Sequence, residues 1–354
     1  MKRLTLLLMC AVAIPVWACT GIMHKAKDGV TVNGRTVEFA INLDIGGVVI
    51  PQGYAFKGTL PDGTTNGITY KAKYAVVGAN AFGEKAIIDG MNEAGLTVGA
   101  FYFPGYAGYA SITADNQSNA LSSVEYPNWL LTQFATIDEV KQHFADAVIV
   151  PTEPKGWGLV PPFHYVVYDR TGKSVVIEPI KGKLVIYDNP LGVVTNSPTF
   201  DWHMTNLGNY TNLTPVGASP VEVDGVTLQA FGSGSGLHGL PGDFTPPSRF
   251  VRAAVFSATA VQADTGRDAV LEVFHLLNQF DIPKGSVRDK NGNAMLVEYT
   301  LATSVKDPTA MQYFLRTYED QTIKVIDLNK FDKKAADIVF INVKSTQPIV
   351  DVKT

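Results

Sequence analysis

The chain has 354 residues, 46% of them apolar and 18% charged, a globular composition that excludes a disordered polypeptide. A formal net charge of −4 with no basic block argues against a nucleic-acid partner. Beyond the N-terminus no apolar run reaches the ~18 residues that cross a bilayer, so no stable membrane span is expected.

Residues 1–18 read as a cleaved signal peptide. Met1-Lys2-Arg3 is a short basic region, and Leu4 to Trp17 is mostly apolar with Pro15 near its end. Val16 and Ala18 suit the small-residue pattern before a cleavage site. The expected location is therefore secreted or periplasmic. Of the two cysteines, Cys10 leaves with this segment and Cys19 stays as a lone thiol directly after the cut. Two functional readings compete for it. A free N-terminal Cys carries both a thiol and an α-amino group of pKa ~7.7–8.0, so nucleophile and base sit on one residue. Alternatively Cys19 is lipidated and anchors an envelope protein, although Trp17 is bulky for a lipobox. A small core cysteine is the plain alternative.

Downstream, short apolar runs alternate with turn signals at Gly29, Asn33-Gly34, Asp62-Gly63 and Asn66-Gly67. Val37 to Leu43, Val48 to Ile50, Tyr74 to Val77 and Leu96 to Phe103 read as strands, with a hairpin turn at Asn92 to Gly95. Thr136-Ile137-Asp138-Glu139 has the capping-box form and starts a helix expected over Thr136 to Ala147. Tyr165 to Tyr168, Ser174 to Ile180 and Lys183 to Tyr187 read as strands. Ser248 to Thr259 and Arg267 to Phe280 read as helices, capped by Ser248 and by Asp264 or Thr265. Met295 to Leu301, Met311 to Thr317 and Thr322 to Ile326 return to strands. Strands, then helices, then strands without βαβ repetition indicate an α+β fold. Residues 19–354 read as one domain.

The six histidines show no metal-ligand spacing, and neither CxxC nor GxSxG occurs. The stretch Gly232 to Gly236 lacks the lysine of a phosphate loop. No cofactor or metal is expected.

Several segments together resemble the choloylglycine hydrolase family, the bile salt hydrolase and penicillin V acylase group of the N-terminal nucleophile hydrolases. They are Cys19-Thr20-Gly21; Gly34 to Phe39, with Arg35 sixteen residues after the Cys; Asp89 to Leu96; Thr195 to Trp202; and Gly239 to Asp243 leading to Ser248 to Ala253. Tyr299-Thr300 and Arg316 to Tyr318 fit its C-terminal strands. The resemblance implies an αββα sandwich, two antiparallel sheets between helical layers, and hydrolysis of a non-peptide linear amide. It implies Cys19 as nucleophile and, through its amine, as base. Arg35 would favour the thiolate, and Glu38 would hold the amine and serve as counter-charge to the buried arginine. Asn196 would donate its side-chain N–H to the oxyanion, and Tyr102 its backbone N–H. Arg249 would be the second active-site arginine. The partner it implies is a small-molecule amide, with Phe39, Phe101, Tyr102 and Phe103 suited to an apolar acyl group. Phenoxyacetyl, a fatty acyl of an acyl-homoserine lactone and a bile acid all qualify, and Tyr102 resembles the penicillin V acylase side. A homotetramer is the assembly found in many family members. The competing readings are a lipid-anchored, non-catalytic protein of the same fold and a ceramidase-like lipid amidase.

Overall fold

A computed structural model describes residues 18–291 and 293–352; residues 1–17 of the segment read as a signal peptide lie outside them. The chain opens with strands β1 (Gly21–Lys25), β2 (Thr31–Phe39), β3 (Gly46–Ile50), β4 (Val76–Asn80), β5 (Ile87–Asn92) and β6 (Thr97–Tyr102). Helices α1 (Tyr126–Gln133) and α2 (Ile137–His143) follow, then β7 (Phe163–Tyr168), β8 (Ser174–Ile180) and β9 (Lys183–Asp188). Helices α3 (Phe200–Asn206), α4 (Pro246–Thr259) and α5 (Gly266–Leu277) come next. The last strands are β10 (Val287–Asn291), β11 (Ala294–Asp307), β12 (Gln312–Thr317), β13 (Lys324–Asp327) and β14 (Val339–Ile341).

One sheet runs β1-β2-β11-β12-β13, with β10 also paired to β11, and the other runs β9-β8-β7-β6-β5-β4-β3-β14. All these pairings are antiparallel. Helices α4 and α5 pack on the first sheet and α1 on β5 and β6 of the second, giving the expected αββα layering. One apolar cluster joins Val37 and Phe39 of β2 to Ala100 and Tyr102 of β6 and to Leu130 and Leu131 of α1. A second gathers Ile22, Val32 and Phe101 with Phe250, Val270 and Val273, and Cys19 belongs to it.

Sandwiching explains an unusual strand. All nine residues of β2, TVNGRTVEF, are buried, including Asn33, Arg35, Thr36 and Glu38. A strand covered on both faces must find partners for its polar side chains inside the protein. A buried ion pair joins the sheets in the same way: Lys306 Nζ of β11 lies 2.7 and 2.9 Å from the carboxylate oxygens of Asp89 on β5. Ser304 Oγ and Tyr313 Oη donate to that carboxylate at 2.6 and 2.9 Å.

Four local readings change. Asn33-Gly34 is mid-strand rather than a turn, because α5 packs directly on it. A Cβ at Gly34 would come within 2.7 Å of Val273 Cγ1 and 2.8 Å of the Ser304 carbonyl oxygen. The strand expected over Val37 to Leu43 ends at Phe39, and Asp44 beyond it has φ 50°. Helix α4 starts two residues before Ser248, with Pro246 in its first turn, where a missing N–H is harmless. Ser248 Oγ instead donates to Asp243 at 2.7 Å. Helix α2 is shorter than expected, but Thr136 caps it, accepting from the Glu139 N–H at 3.2 Å. Thr265 caps α5 by accepting from Asp268.

Candidate active site

Ala18, Cys19 and Thr20 lie extended beside β2. The Glu38 N–H donates to the Ala18 carbonyl at 3.1 Å and the Thr36 N–H to the Thr20 carbonyl at 2.9 Å. Gly21 then exchanges backbone hydrogen bonds of 2.8 and 3.0 Å with Val194. That pairing carries Asn196, two residues on, to Cys19.

Asn196 is the hub. Its Oδ1 accepts from the Cys19 N–H at 2.8 Å and from Arg249 Nη2 at 2.6 Å. Its Nδ2 donates to the Tyr102 carbonyl at 2.7 Å. Arg249, in the first turn of α4, also donates through Nη1 to the Cys19 carbonyl and to Thr20 Oγ1, and through Nε to the Phe244 carbonyl at 2.8 Å. Such multiple, fixed donation is what a planar guanidinium supplies and an ammonium does not. The Phe103 N–H meets the Pro162 carbonyl at 2.6 Å, so the antiparallel alternation turns Tyr102's backbone groups away from β7, toward Asn196.

Cys19, Arg35, Glu38, Tyr102, Asn196 and Arg249 are all buried, and the geometry gathers them into one region, with one pairing changed. Arg35 and Glu38 are three residues apart on a strand and so point to opposite faces. Arg35 reaches across the inter-sheet gap, donating to the carbonyls of Ala100 and, at 3.4 Å, Ile88, with its guanidinium 3.9 Å above the Phe101 ring. Its neighbouring carboxylate is Asp89. Gly99 leaves room between them: a Cβ there would lie 3.3 Å from Asp89 Oδ1 and 3.5 Å from Arg35 Nη1. Glu38, on the other face, lies in the field of Arg249.

The electrostatics follow burial. Desolvation pushes the Cys19 thiol up, against the opposing pull of Arg35, with Glu38 also raising it and the Glu38 N–H and Arg249 lowering it. The Arg35 charge pulls the thiol down, but burial outweighs it. Burial pushes Glu38 up to about 8, opposed by Arg249. Burial likewise holds Tyr102 at about 12, so its phenol is neutral.

Sequence reasoning missed the supporting groups. Glu298 of β11 accepts from the Ala18 N–H, and burial pushes it up to about 7. His164, 3.2 Å from Glu178, holds the Thr195 carbonyl at 3.1 Å, and His203 holds the Asn196 carbonyl at 2.9 Å. Burial drives His203 down to about 4, so it holds that carbonyl as a neutral ring. The only hint was His203 falling seven positions after Asn196. Of the four aromatics expected around the acyl group, Phe39 and Tyr102 meet edge to face at 6.1 Å, and Trp157 and Phe163 extend their wall. Phe101 lies under Arg35 and Phe103 stacks on His164 at 4.4 Å, both on the opposite side of β6. Trp157 separates this wall from a cavity of about 400 Å³ lined by Phe56, Ile88 and Asn128 among others. Among the described residues no group of three or more His, Cys, Asp or Glu is placed to hold a metal, and no helix is long and apolar enough to cross a membrane.

The arrangement offers a thiol, amide and backbone donors, two guanidiniums and two buried carboxyls, which is equipment for acyl transfer. Comparison with known proteins agrees. Residues 19–341 match the profile described as linear amide C–N hydrolases, choloylglycine hydrolase family. A bile salt hydrolase/transferase of Clostridium perfringens is 34% identical over 316 residues, 88% of this chain and 93% of that protein. A penicillin V acylase of Pectobacterium atrosepticum is 25% identical over 284 residues, 75% of this chain and 69% of that one. The crystal structure of a mutant conjugated bile acid hydrolase from Clostridium perfringens superposes with a TM-score of 0.83 at 31% identity, covering 95% of this chain and all of the other.

Proposed function

Since the chain belongs to the choloylglycine hydrolase family of linear amide C–N hydrolases, we propose that it is a secreted or periplasmic cysteine amidase whose nucleophile is Cys19, exposed as the N-terminal residue by removal of residues 1–18. The Cys19 thiol gives its proton to its own α-amine, and Sγ attacks the amide carbonyl carbon. The oxyanion is met by Asn196 Nδ2, which has a second hydrogen besides the one on the Tyr102 carbonyl, and by the Tyr102 N–H. The ammonium protonates the departing amine and the C–N bond breaks, leaving a thioester on Cys19. Water, deprotonated by the freed amine, then releases the carboxylic acid and restores the thiol.

The observation that carries this reading is the Asn196 side chain joining the Cys19 nitrogen, Arg249 and the Tyr102 carbonyl. The raised thiol pKa explains why a base on the same residue is needed. Burial of Cys19 also disfavours the lipid-anchored alternative, because a diacylglyceryl thioether needs space and an exit.

The acyl group we assign is apolar, lying on the Phe39, Tyr102, Phe163 and Trp157 wall. Tyr102 favours an aryloxyacetyl amide of the penicillin V type; the greater identity to bile salt hydrolases favours conjugated bile salts as the second class. Self-association into a tetramer is part of this reading. The exposed Val221, Val223, Val226 and Leu228 of a short hairpin supply an apolar face for it, checked by light scattering of wild type and Leu228→Asp.

The test is the intact mass of the exported protein before and after iodoacetamide, followed by hydrolysis of penicillin V, an acyl-homoserine lactone and a conjugated bile salt. A chain starting at Cys19, gaining one carbamidomethyl group, with activity abolished in Cys19→Ser, supports the proposal. A diacylglyceryl adduct or another starting residue refutes it.

A further inference from the structure

Ala18 is buried between the Glu298 carboxyl and the backbone of β2. Its N–H donates to Glu298 Oε1 and its carbonyl accepts from the Glu38 N–H at 3.1 Å. Glu38 Oε1 accepts from Thr300 Oγ1 at 3.0 Å, but Glu38 Oε2 is buried without a hydrogen-bond partner among the described residues. Glu298 Oε1 thus meets the backbone one residue before the Cys19 nitrogen.

Starting the chain at Cys19, the reading proposed above on which this inference rests, changes the hydrogen-bond count. A peptide N–H becomes an ammonium with three donors. Asn196 Oδ1 already takes one at 2.8 Å. Two more acceptors are required in a buried site. Departure of Ala18 takes its N–H from Glu298 Oε1 and opens that acceptor, and Glu38, whose charge already acts on Cys19, is the second carboxyl at this centre.

We propose that Glu298 is a positioning residue that receives the Cys19 α-ammonium together with Glu38 and holds it beside the thiol. The charged groups that face this centre are Arg35 and Glu38 from β2, Arg249 from α4 and Asp289 from β10. Burial and Asp289 hold Glu298 toward its acid form, opposed by the hydrogen bond from the Ala18 N–H and by Arg249. The new ammonium, an opposite charge at close range, ionises it. Glu298 is then the anion that keeps the amine protonated until it is needed as acid for the leaving group.

The test reads the pH dependence of Cys19 itself. Wild type, Glu298→Gln and Glu298→Asp are exported, their masses checked for a Cys19 start, and their thermal unfolding compared. The rate of Cys19 alkylation by iodoacetamide, and kcat/KM for a hydrolysed amide, are then followed from pH 4 to 10. Removing a nearby negative charge lowers the pKa of both thiol and amine, so Glu298→Gln moves both limbs toward acid by about one unit. Glu298→Asp, which keeps the charge, shows a smaller shift in the same direction. If Glu298→Gln does not fold, Glu298→Asp alone decides on that same criterion. Limbs that coincide with wild type, with or without a uniform loss of rate, overturn the role of Glu298 while leaving the N-terminal nucleophile standing. A wild-type chain that does not start at Cys19 overturns both.

Discussion

Asn196 Oδ1 lies 2.8 Å from the backbone nitrogen of Cys19, 177 residues away in sequence, and the same side chain reaches the Tyr102 carbonyl through Nδ2. One amide thus links the proposed nucleophile to the proposed oxyanion donors. Replacing Asn196 with Ala removes the proposed oxyanion donor and the acceptor for Cys19 and Arg249. The expected result is a loss of about 10²–10³ in kcat, with the chain still starting at Cys19. Steady-state kinetics with mass analysis check it, and near-wild-type kcat would remove Asn196 from the mechanism.

The Lys306–Asp89 pair should be far less tolerant of half-removal than of full replacement. Lys306→Met leaves the buried Asp89 carboxylate without its ion-pair partner, with the Ser304 and Tyr313 hydroxyls and the more distant Arg35, and should destabilise by about 3 kcal/mol. The Asp89→Asn/Lys306→Met double variant should be less damaged than the single one. Urea unfolding of the three chains measures this directly.

Gly34→Ala inserts a methyl group 2.7 Å from Val273 and 2.8 Å from a backbone oxygen, neither at the end of a flexible side chain. A loss of about 1–3 kcal/mol is expected, seen as a lower denaturation midpoint with an unchanged slope. An unchanged midpoint would show that α5 shifts freely.

Stability should depend on pH in a direction opposite to that of ordinary salt-bridged carboxylates. Glu38 and Glu298 are raised from 4.5 to about 8 and about 7, so between those values the folded chain binds more protons than the unfolded one. Their contribution is complete below about 4.5 and fades as pH rises through 7 and 8. Full-length protein made without export, retaining Ala18, should therefore lose thermal stability from pH 5 to 9. Glu38→Gln should flatten the slope. A melting temperature that rises over this range contradicts the burial account.

Much of the fold was readable because strands β3, β6, β7 and β8 and helices α4 and α5 carry strong local patterns of apolar period and capping. Strand β2 was harder. Its Asn-Gly pair looks like a turn, and only the helix packed against Gly34 and the second sheet beneath Arg35 explain a strand buried on both faces. The six proposed site residues were readable through motifs that resemble the family, since each motif lies within a few consecutive positions. Glu298, His164 and His203 carry no such local signature.

From the sequence alone came the cysteine directly after a signal-like segment, the order of the motifs and hence the family's chemistry, because these are properties of neighbouring residues. The partners of each charge were decided by the tertiary structure. Alternation along β2 sends Arg35 to one face and Glu38 to the other, so Asp89 and not Glu38 neighbours Arg35, while Arg249 faces Glu38. Ala18 meets Glu298 across 280 residues of sequence. Such pairings arise from how two sheets and a helix are stacked, and spacing along the chain does not encode that geometry.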